Sequence, residues 1–271
     1  AALADNKFDG EGATGTATRQ PQWLGEVWTP AERERRIIPL LDSGALTGLT
    51  FTGYQWETKP EVGQWAGNKS EISSSGGKTK AVTGAAQRFA GGFDTAREFV
   101  DFGETDKIEA LVRFLVQSYA IKSDAYVLGK ALDAATPTVA GTVPAGVAPA
   151  LGWIVDGALA IVAENARPAF AVVNPTDYRE ILFMKDLDKL AFLGGTFDLE
   201  GGNAVAPIIP HTGIPAGSAL VGARESIKVL ELPGAPVRVS ALDLLRGGVD
   251  DAVFGYIGTV TQYAPALRLV G

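Results

Sequence analysis

One stretch limits the folds open to this 271-residue chain more than any other. From Glu104 to about Ala135 no proline occurs, and apolar side chains recur at Ile108, Leu111, Val112, Leu115, Val116, Tyr119, Leu128 and Leu132. That spacing predicts one uninterrupted helix, roughly 45 Å long at a rise of about 1.5 Å per residue. Lys107, Glu109, Arg113, Lys122, Asp124 and Lys130 give it a solvated face. Such a helix is long for a single compact domain, and the chain length fits either one large domain or two smaller ones.

Shorter elements surround it. Leu49 to Glu57 reads as a strand rich in Thr and aromatics, with Lys78 to Thr83 as its returning partner. Pro60 to Gly77, between them, is too long for a tight turn and too polar for core. Gln87 to Phe102 mixes strand and helix signals around Gly91-Gly92. Thr136 to Pro149 is a Pro/Gly-rich break, and helical spacing resumes from Leu151 to about Ala166. Ala169 to Val173 is a short buried strand, and Asn174-Pro175 starts a helix with a cap followed by proline in the first turn. Leu193 to Asn203 is a second glycine-rich loop. Short strands are expected at Ala206 to Ile209, Ser218 to Gly222, Ile227 to Leu232 and Val237 to Val239, with a β-rich end from Ala252 to Val270. At the other end, residues 1–22 read as an extended arm and Pro30 to Arg36 as a short polar helix. The pattern is α+β rather than a doubly wound parallel sheet.

The composition is poor in chemistry. There is no cysteine and one histidine, which removes disulfides, thiolate metal sites, cysteine nucleophiles and any site needing two imidazoles. The net charge of −7 argues against a protein whose task is gripping phosphate backbones. No apolar run is long enough for a membrane-spanning helix, and the first residues show no export signal. Gly77-Lys78-Thr79 looks like the end of a phosphate-binding loop, but Ile72 stands where that loop needs its first glycine. Asp5 to Gly10 resembles a calcium loop, with Lys7 at a ligand position. His211, in a loop between prolines, is expected in solvent, and Asp250-Asp251 and Glu57/Glu61 as solvated or intersubunit charges. No catalytic, cofactor-binding or metal-binding residue is assigned. Trp56 and Trp65 differ: aromatics on a polar excursion suit packing against a neighbouring subunit. Lys69 on the same excursion, and Trp23 and Trp28 near the start, complete the candidate intersubunit contacts.

Three segments carry a family resemblance: RFAGGFDTAREFVDFG (88–103) leading into the long helix, AFAVVNPTDYREILFMKD (169–186), and LGGTFDLEGGNAVAPIIPHTGIPAGSALVGA (193–223). In this order they resemble the tailed-phage major capsid proteins of the Hong Kong 97 type, over most of the chain from about Thr47. The resemblance implies an N-terminal arm and short helix at 1–48 and an extended β-hairpin loop at 49–84. It places a peripheral domain with the long spine helix at 85–135 and 233–265, and an axial domain at 136–232 and 266–271. It also implies a non-enzymatic protein without cofactors, forming pentamers and hexamers of an icosahedral head in the virion, assembled in host cytoplasm. Double-stranded DNA would be enclosed without sequence-specific binding. Implied partners are other copies of the chain and, beyond them, a scaffold or maturation protease, a portal and a decoration protein, with no membrane. A start at Ala1 fits either removal of a propeptide or a shortened chain. The nearest alternative is an encapsulin-type nanocompartment shell, and a distant one a hydrolase using Asp or Glu alone.

Some members of that family weld subunits through a loop lysine, an asparagine near the C-terminus and a glutamate. Lys59, Lys69 and Lys78 are on the loop, but no asparagine follows Asn203 and the last glutamate is Glu231. Particles boiled in denaturant are therefore expected to run on a gel as single subunits, and covalent ladders of subunit multiples would contradict this.

Overall fold

The computed structural model describes residues 35–101, 105–183, 196–197, 206–243 and 248–271. After a 3-10 turn at Ile38–Leu40 come β1 (Asp42–Ala45), the hairpin strands β2 (Thr50–Thr58) and β3 (Lys78–Ala85), and β4 (Gln87–Ala96). The helices α1 (Arg97–Asp101) and α2 (Thr105–Ala134) follow. Next are β5 (Thr136–Thr138), α3 (Pro149–Ala163), β6 (Phe170–Val173), α4 (Pro175–Leu182), β7 (Thr196–Phe197), β8 (Ala206–Pro210) and β9 (Ala219–Gly222). The chain closes with β10 (Ile227–Glu231), β11 (Val237–Asp243), β12 (Gly248–Thr261) and β13 (Leu267–Val270). The long helix lies within a residue of its expected ends. The ambiguous stretch before it resolves into β4 followed by α1. Of the short helix expected at 30–36, only Arg35 and Arg36 are among the described residues, and neither is helical. The first 34 residues and most of the loop at 193–203 fall outside them.

Two sheets form the body. The first is built on β12, whose 14 residues pair antiparallel with β4, β11 and β10, while β1 adds parallel to β10. Alternate residues of a strand face opposite sides, and β12 follows this: Asp251, Val253, Gly255 and Ile257 are buried, and Asp250 and Phe254 are exposed. Helix α2 lies on the buried side. It approaches so closely that a Cβ on Gly255 would stand 2.1 Å from the Tyr119 ring, and one on Gly91 would stand 3.1 Å from Leu115. The glycines that obscured the secondary structure of β4 in the sequence are contact points for the helix. Phe89 adds edge-on aromatic contacts to Tyr119 and Tyr126, at 6.0 and 5.9 Å between ring centres.

The second sheet runs β5-β13-β9-β6-β8-β7. β6 and β9 are buried on both faces, as their unbroken apolar sequences foretell. On one face α3 contributes Leu151, Ile154, Ala158 and Ile161 over Ala171, Val173, Ala219 and Val221. On the other face Phe170, Val172, Leu220 and Leu267 meet Val127, Leu128 and Ala131 from the C-terminal half of α2. Ile37, Ile38 and Leu41 join that same cluster, with Ile227, Val229 and Ile257 of the first sheet. The length of α2 is thereby explained: one half covers the first sheet and the other half fills the core between the two. The chain changes sheets between β9 and β10, so Ile227–Glu231 ladders with the first sheet, ahead of the Leu232 boundary expected from the resemblance.

Local sequence accounts for the terminus of α4. Asn174 Oδ1 accepts the Thr176 amide at 3.0 Å and its Nδ2 donates to the Ile214 carbonyl at 2.7 Å, so one side chain caps the helix and fixes a neighbouring loop. The tightest helix-to-sheet contact yields a test. Gly255→Ala forces the Tyr119 ring away and is expected to destabilise the subunit by about 1–3 kcal/mol, read as a lowered denaturant midpoint without a changed slope.

Candidate assembly surfaces

The hairpin β2–β3 pairs from Thr50↔Ala85 to Thr58↔Lys78, with a bulge between Trp56 and Thr58. Beyond it, residues 59–77 form an excursion held by few internal bonds. The Ser75 hydroxyl accepts the Glu61 amide at 2.7 Å and donates to the Glu61 carbonyl at 3.0 Å. The Trp65 indole N–H donates to the Ser70 carbonyl at 2.8 Å. At the tip Gly67, Asn68 and Lys69 all have positive φ, of 77°, 47° and 62°, so the chain reverses through left-handed backbone. Lys69 is exposed there. Trp65 is 56% exposed and Trp56 is 58% exposed, with its ring lying across Gly77. Tyr54, Val62 and Ile72 are exposed more fully still. The structure therefore leaves Trp56, Trp65 and Lys69 uncovered, Trp56 on the strand and the other two in the excursion. Trp23 and Trp28 fall outside the described residues.

The base of the hairpin is fastened to the body. The Phe51 ring fits a notch between two glycines: a Cβ on Gly84 or on Gly258 would each come within 2.3 Å of it. The Gln55 side-chain amide donates to the Thr261 carbonyl, and the Lys59 ammonium lies 4.7 Å from the centre of the Tyr263 ring. Tyr263 donates to Glu164 at 3.1 Å, and Arg268 pairs with the same carboxylate at 2.9 Å. Burial, then the Glu164 carboxylate, raises the Tyr263 phenol above its ordinary value. Between the hairpin base and the ends of α3, β9 and β12 opens a groove of about 1110 Å³.

A second uncovered surface is the side of the first sheet away from α2. Val237 and Val239 lie opposite Phe254 and Ala252 in the ladder, and all but Ala252 are exposed. β11 borders this surface and, among the described residues, ladders only with β12.

Three charge expectations are corrected. Asp124, expected on the solvated face of α2, is buried. Asp251 is 3% exposed and is not a solvated or intersubunit charge: it accepts from Arg238 Nε and Nη2 at 3.0 and 2.9 Å and from the Ser240 hydroxyl. Its alternation with Asp250 turns it to the side of the sheet on which α2 packs, and a carboxylate buried there must find donors within the chain. His211 is likewise buried, and its Nδ1 accepts the Gly213 amide at 2.9 Å. Glu57 pairs with Lys78 at 3.1 Å on the surface. Lys78 and Thr79 open β3 rather than a helix, which agrees with the failure of the phosphate-loop match. Among the described residues no group of three or more His, Cys, Asp and Glu side chains could hold a metal ion, and no helix is long and apolar enough to cross a membrane. The calcium-like segment at Asp5 to Gly10 lies outside those residues.

Sequence reasoning missed one polar network. Arg35 donates from both terminal nitrogens to Glu231, at 2.7 Å each, and Tyr119 donates to the same carboxylate at 2.7 Å. The Arg35 guanidinium also lies 5.1 Å from the centre of the Tyr119 ring. Burial, then the hydrogen bond to Glu231, holds the Tyr119 phenol well above its ordinary value. Burial works against the Arg35 cation, but Glu231 and Tyr119 together more than offset it. The only hint in the sequence was a tyrosine among the apolar positions of α2.

Two comparisons place this architecture. A family model described as phage capsid protein matches residues 79–266. The chain belongs to that family. Among solved structures, the capsid of a native GTA particle computed with C5 symmetry aligns with TM-score 0.74 at 16% identity, covering 98% of this chain and 99% of that one. A Mycobacterium phage Che8 structure aligns with TM-score 0.70 at 13% identity, covering 99% and 98%. A virus-like particle from Pyrococcus furiosus aligns with TM-score 0.63 at 12% identity, covering 88% and 92%. No curated protein sequence matches. The fold is the Hong Kong 97-type capsid fold, and this is a phage major capsid protein.

The missed network sets a pH dependence. A phenol with a raised folded value contributes stability that is complete below the unfolded value of 10.0 and is lost as pH climbs toward the folded one. Melting temperature measured from about pH 8 to 11 is expected to fall more steeply in the wild type than in Tyr119→Phe, which lacks that proton.

Proposed function

We propose that this chain assembles into pentamers and hexamers of an icosahedral head enclosing double-stranded DNA, and that its role is structural rather than catalytic. The observation that carries the reading is the hairpin. Its base is fastened to the body while its far half presents Trp65, Val62 and Ile72 to solvent, a poor arrangement for an isolated subunit and a suitable one for a lattice of copies. A half-exposed tryptophan still offers roughly 100 Å², worth about 2–3 kcal/mol when covered. Several such contacts per subunit, repeated around a closed shell, sum to a stable particle although each is weak.

Under this reading, residues 49–84 are the extended loop. α2 with the first sheet is the peripheral domain, and the second sheet with α3 and α4 is the axial domain. Trp56, Trp65 and Lys69, with Trp23 and Trp28, contact neighbouring copies. The acidic net charge suits a shell that contains DNA without gripping its sequence. Assembly takes place in the host cytoplasm, with a scaffold or maturation protease, a portal and a decoration protein as further partners.

Electron microscopy of the purified protein is expected to show closed shells, and a species that stays monomeric under all conditions would refute the proposal. Trp65→Ala should reduce shell yield at least about tenfold while moving the melting temperature of the free subunit by no more than about 2 °C. Genomic DNA protected from nuclease inside the particle distinguishes a phage head from a cargo compartment of the same fold.

A further inference from the structure

At the N-terminal edge of the described chain, two acids from different elements close on one short run of backbone. Asp124 is a buried carboxylate on α2. It accepts three successive amides: Arg36 at 3.1 Å, Ile37 at 2.9 Å and Ile38 at 3.0 Å. Consecutive N–H groups turned toward one anion form a cradle that orders the backbone around it. Glu231, at the end of β10, holds the Arg35 side chain at both nitrogens and is itself held by Tyr119 of α2. The Arg36 guanidinium reaches the Pro210 carbonyl of β8 at 3.4 Å. Directly after these residues Ile37, Ile38 and Leu41 enter the core shared by the two sheets. Four residues are thus tied to α2, to the first sheet and to the second.

We propose that Arg35–Ile38 is a clamp that sets where the N-terminal segment ends and the body begins. Attachment of the preceding residues to another copy, or their removal, stops at this clamp and leaves the core beneath it closed. Without it, a pull on the chain before Arg35 would draw Ile37 and Ile38 out of the core and open a cavity beside Val127 and Leu128. The clamp turns such a pull into a force on the middle of α2 and the end of β10, two elements too well packed to follow it. What the preceding segment attaches to rests on the assembly reading, whereas the clamp is a property of the single chain.

The chain supplies its own probe, because Arg35 and Arg36 are trypsin sites only when their backbone opens. Limited trypsin digestion of the unassembled full chain, followed by intact mass, is expected to give a wild-type fragment that retains both residues. Asp124→Ala removes the acceptor of three amides and should speed cleavage after Arg36 about a hundredfold. Tyr119→Phe, which removes one hydroxyl, should speed it several-fold. In both variants the bonds after Lys122 and Lys130 in α2 should remain uncut on the same timescale. Wild-type cleavage after Arg36 as rapid as in a free peptide of residues 32–41 would overturn the clamp. So would a Tyr119→Phe fragment with an unchanged start and rate, or simultaneous cutting within α2, which would mean global rather than local opening. Because the measurement needs no shell, a chain that fails to assemble can still show the clamp, and one that assembles can still lack it.

Discussion

The contact on which the body depends is the close approach of α2 to the first sheet at Gly255 and Gly91. A helix can lie this near a sheet only where side chains are missing, and those two glycines give Tyr119 and Leu115 their places. With the helix seated there, its direction is set, and its remaining turns project beyond the sheet. Val127, Leu128 and Ala131 then become the wall of a second core that the other sheet must complete. The two sheets are therefore not independent domains joined by a linker. They share one helix and one apolar cluster, so neither buries its full apolar surface without the other.

Polar groups are placed to keep that shared core closed. Asp251 on the α2 side of the first sheet, Asp124 within α2 and Glu231 beside it are carboxylates with two or three donors each. Such arrangements add little net stability compared with apolar packing, but they are costly to break by halves, and so they hold one geometry. The candidate assembly surfaces lie away from this rigid part: on the hairpin, whose far half has few bonds of its own, and on the uncovered side of the first sheet. Rigid body and adaptable projection are what a subunit needs when identical copies must meet in slightly different surroundings.

Much of the fold was legible because it follows from local periodicity. The span of α2, the cap at Asn174, the doubly buried β6 and the hairpin strands β2 and β3 could all be read from spacing and residue type. The exposure of Trp56 and Trp65 was legible from their polar surroundings. The stretch around Gly91-Gly92 was not, since a glycine in a strand says nothing of what lies above it. Asp124, Asp251 and His211 were misread as solvated for a related reason: burial of a polar side chain depends on which face of an element is covered. The clamp was invisible because its members, Arg35, Tyr119, Asp124 and Glu231, span nearly the whole body and share no motif.

By itself the sequence determined most of the elements and their order, the lack of thiol chemistry and of any site needing two imidazoles and, through three segments, the family to which the chain belongs. These are consequences of near-neighbour spacing and composition, which any reader of the chain can count. Only the tertiary structure decided that one helix serves two cores, that the acids at 124, 231 and 251 are internal ties, and that Arg35–Ile38 is fastened to α2 and β10. Each of those rests on residues distant in the chain meeting in space, where the burial of a charge or the absence of a single Cβ determines what can pack.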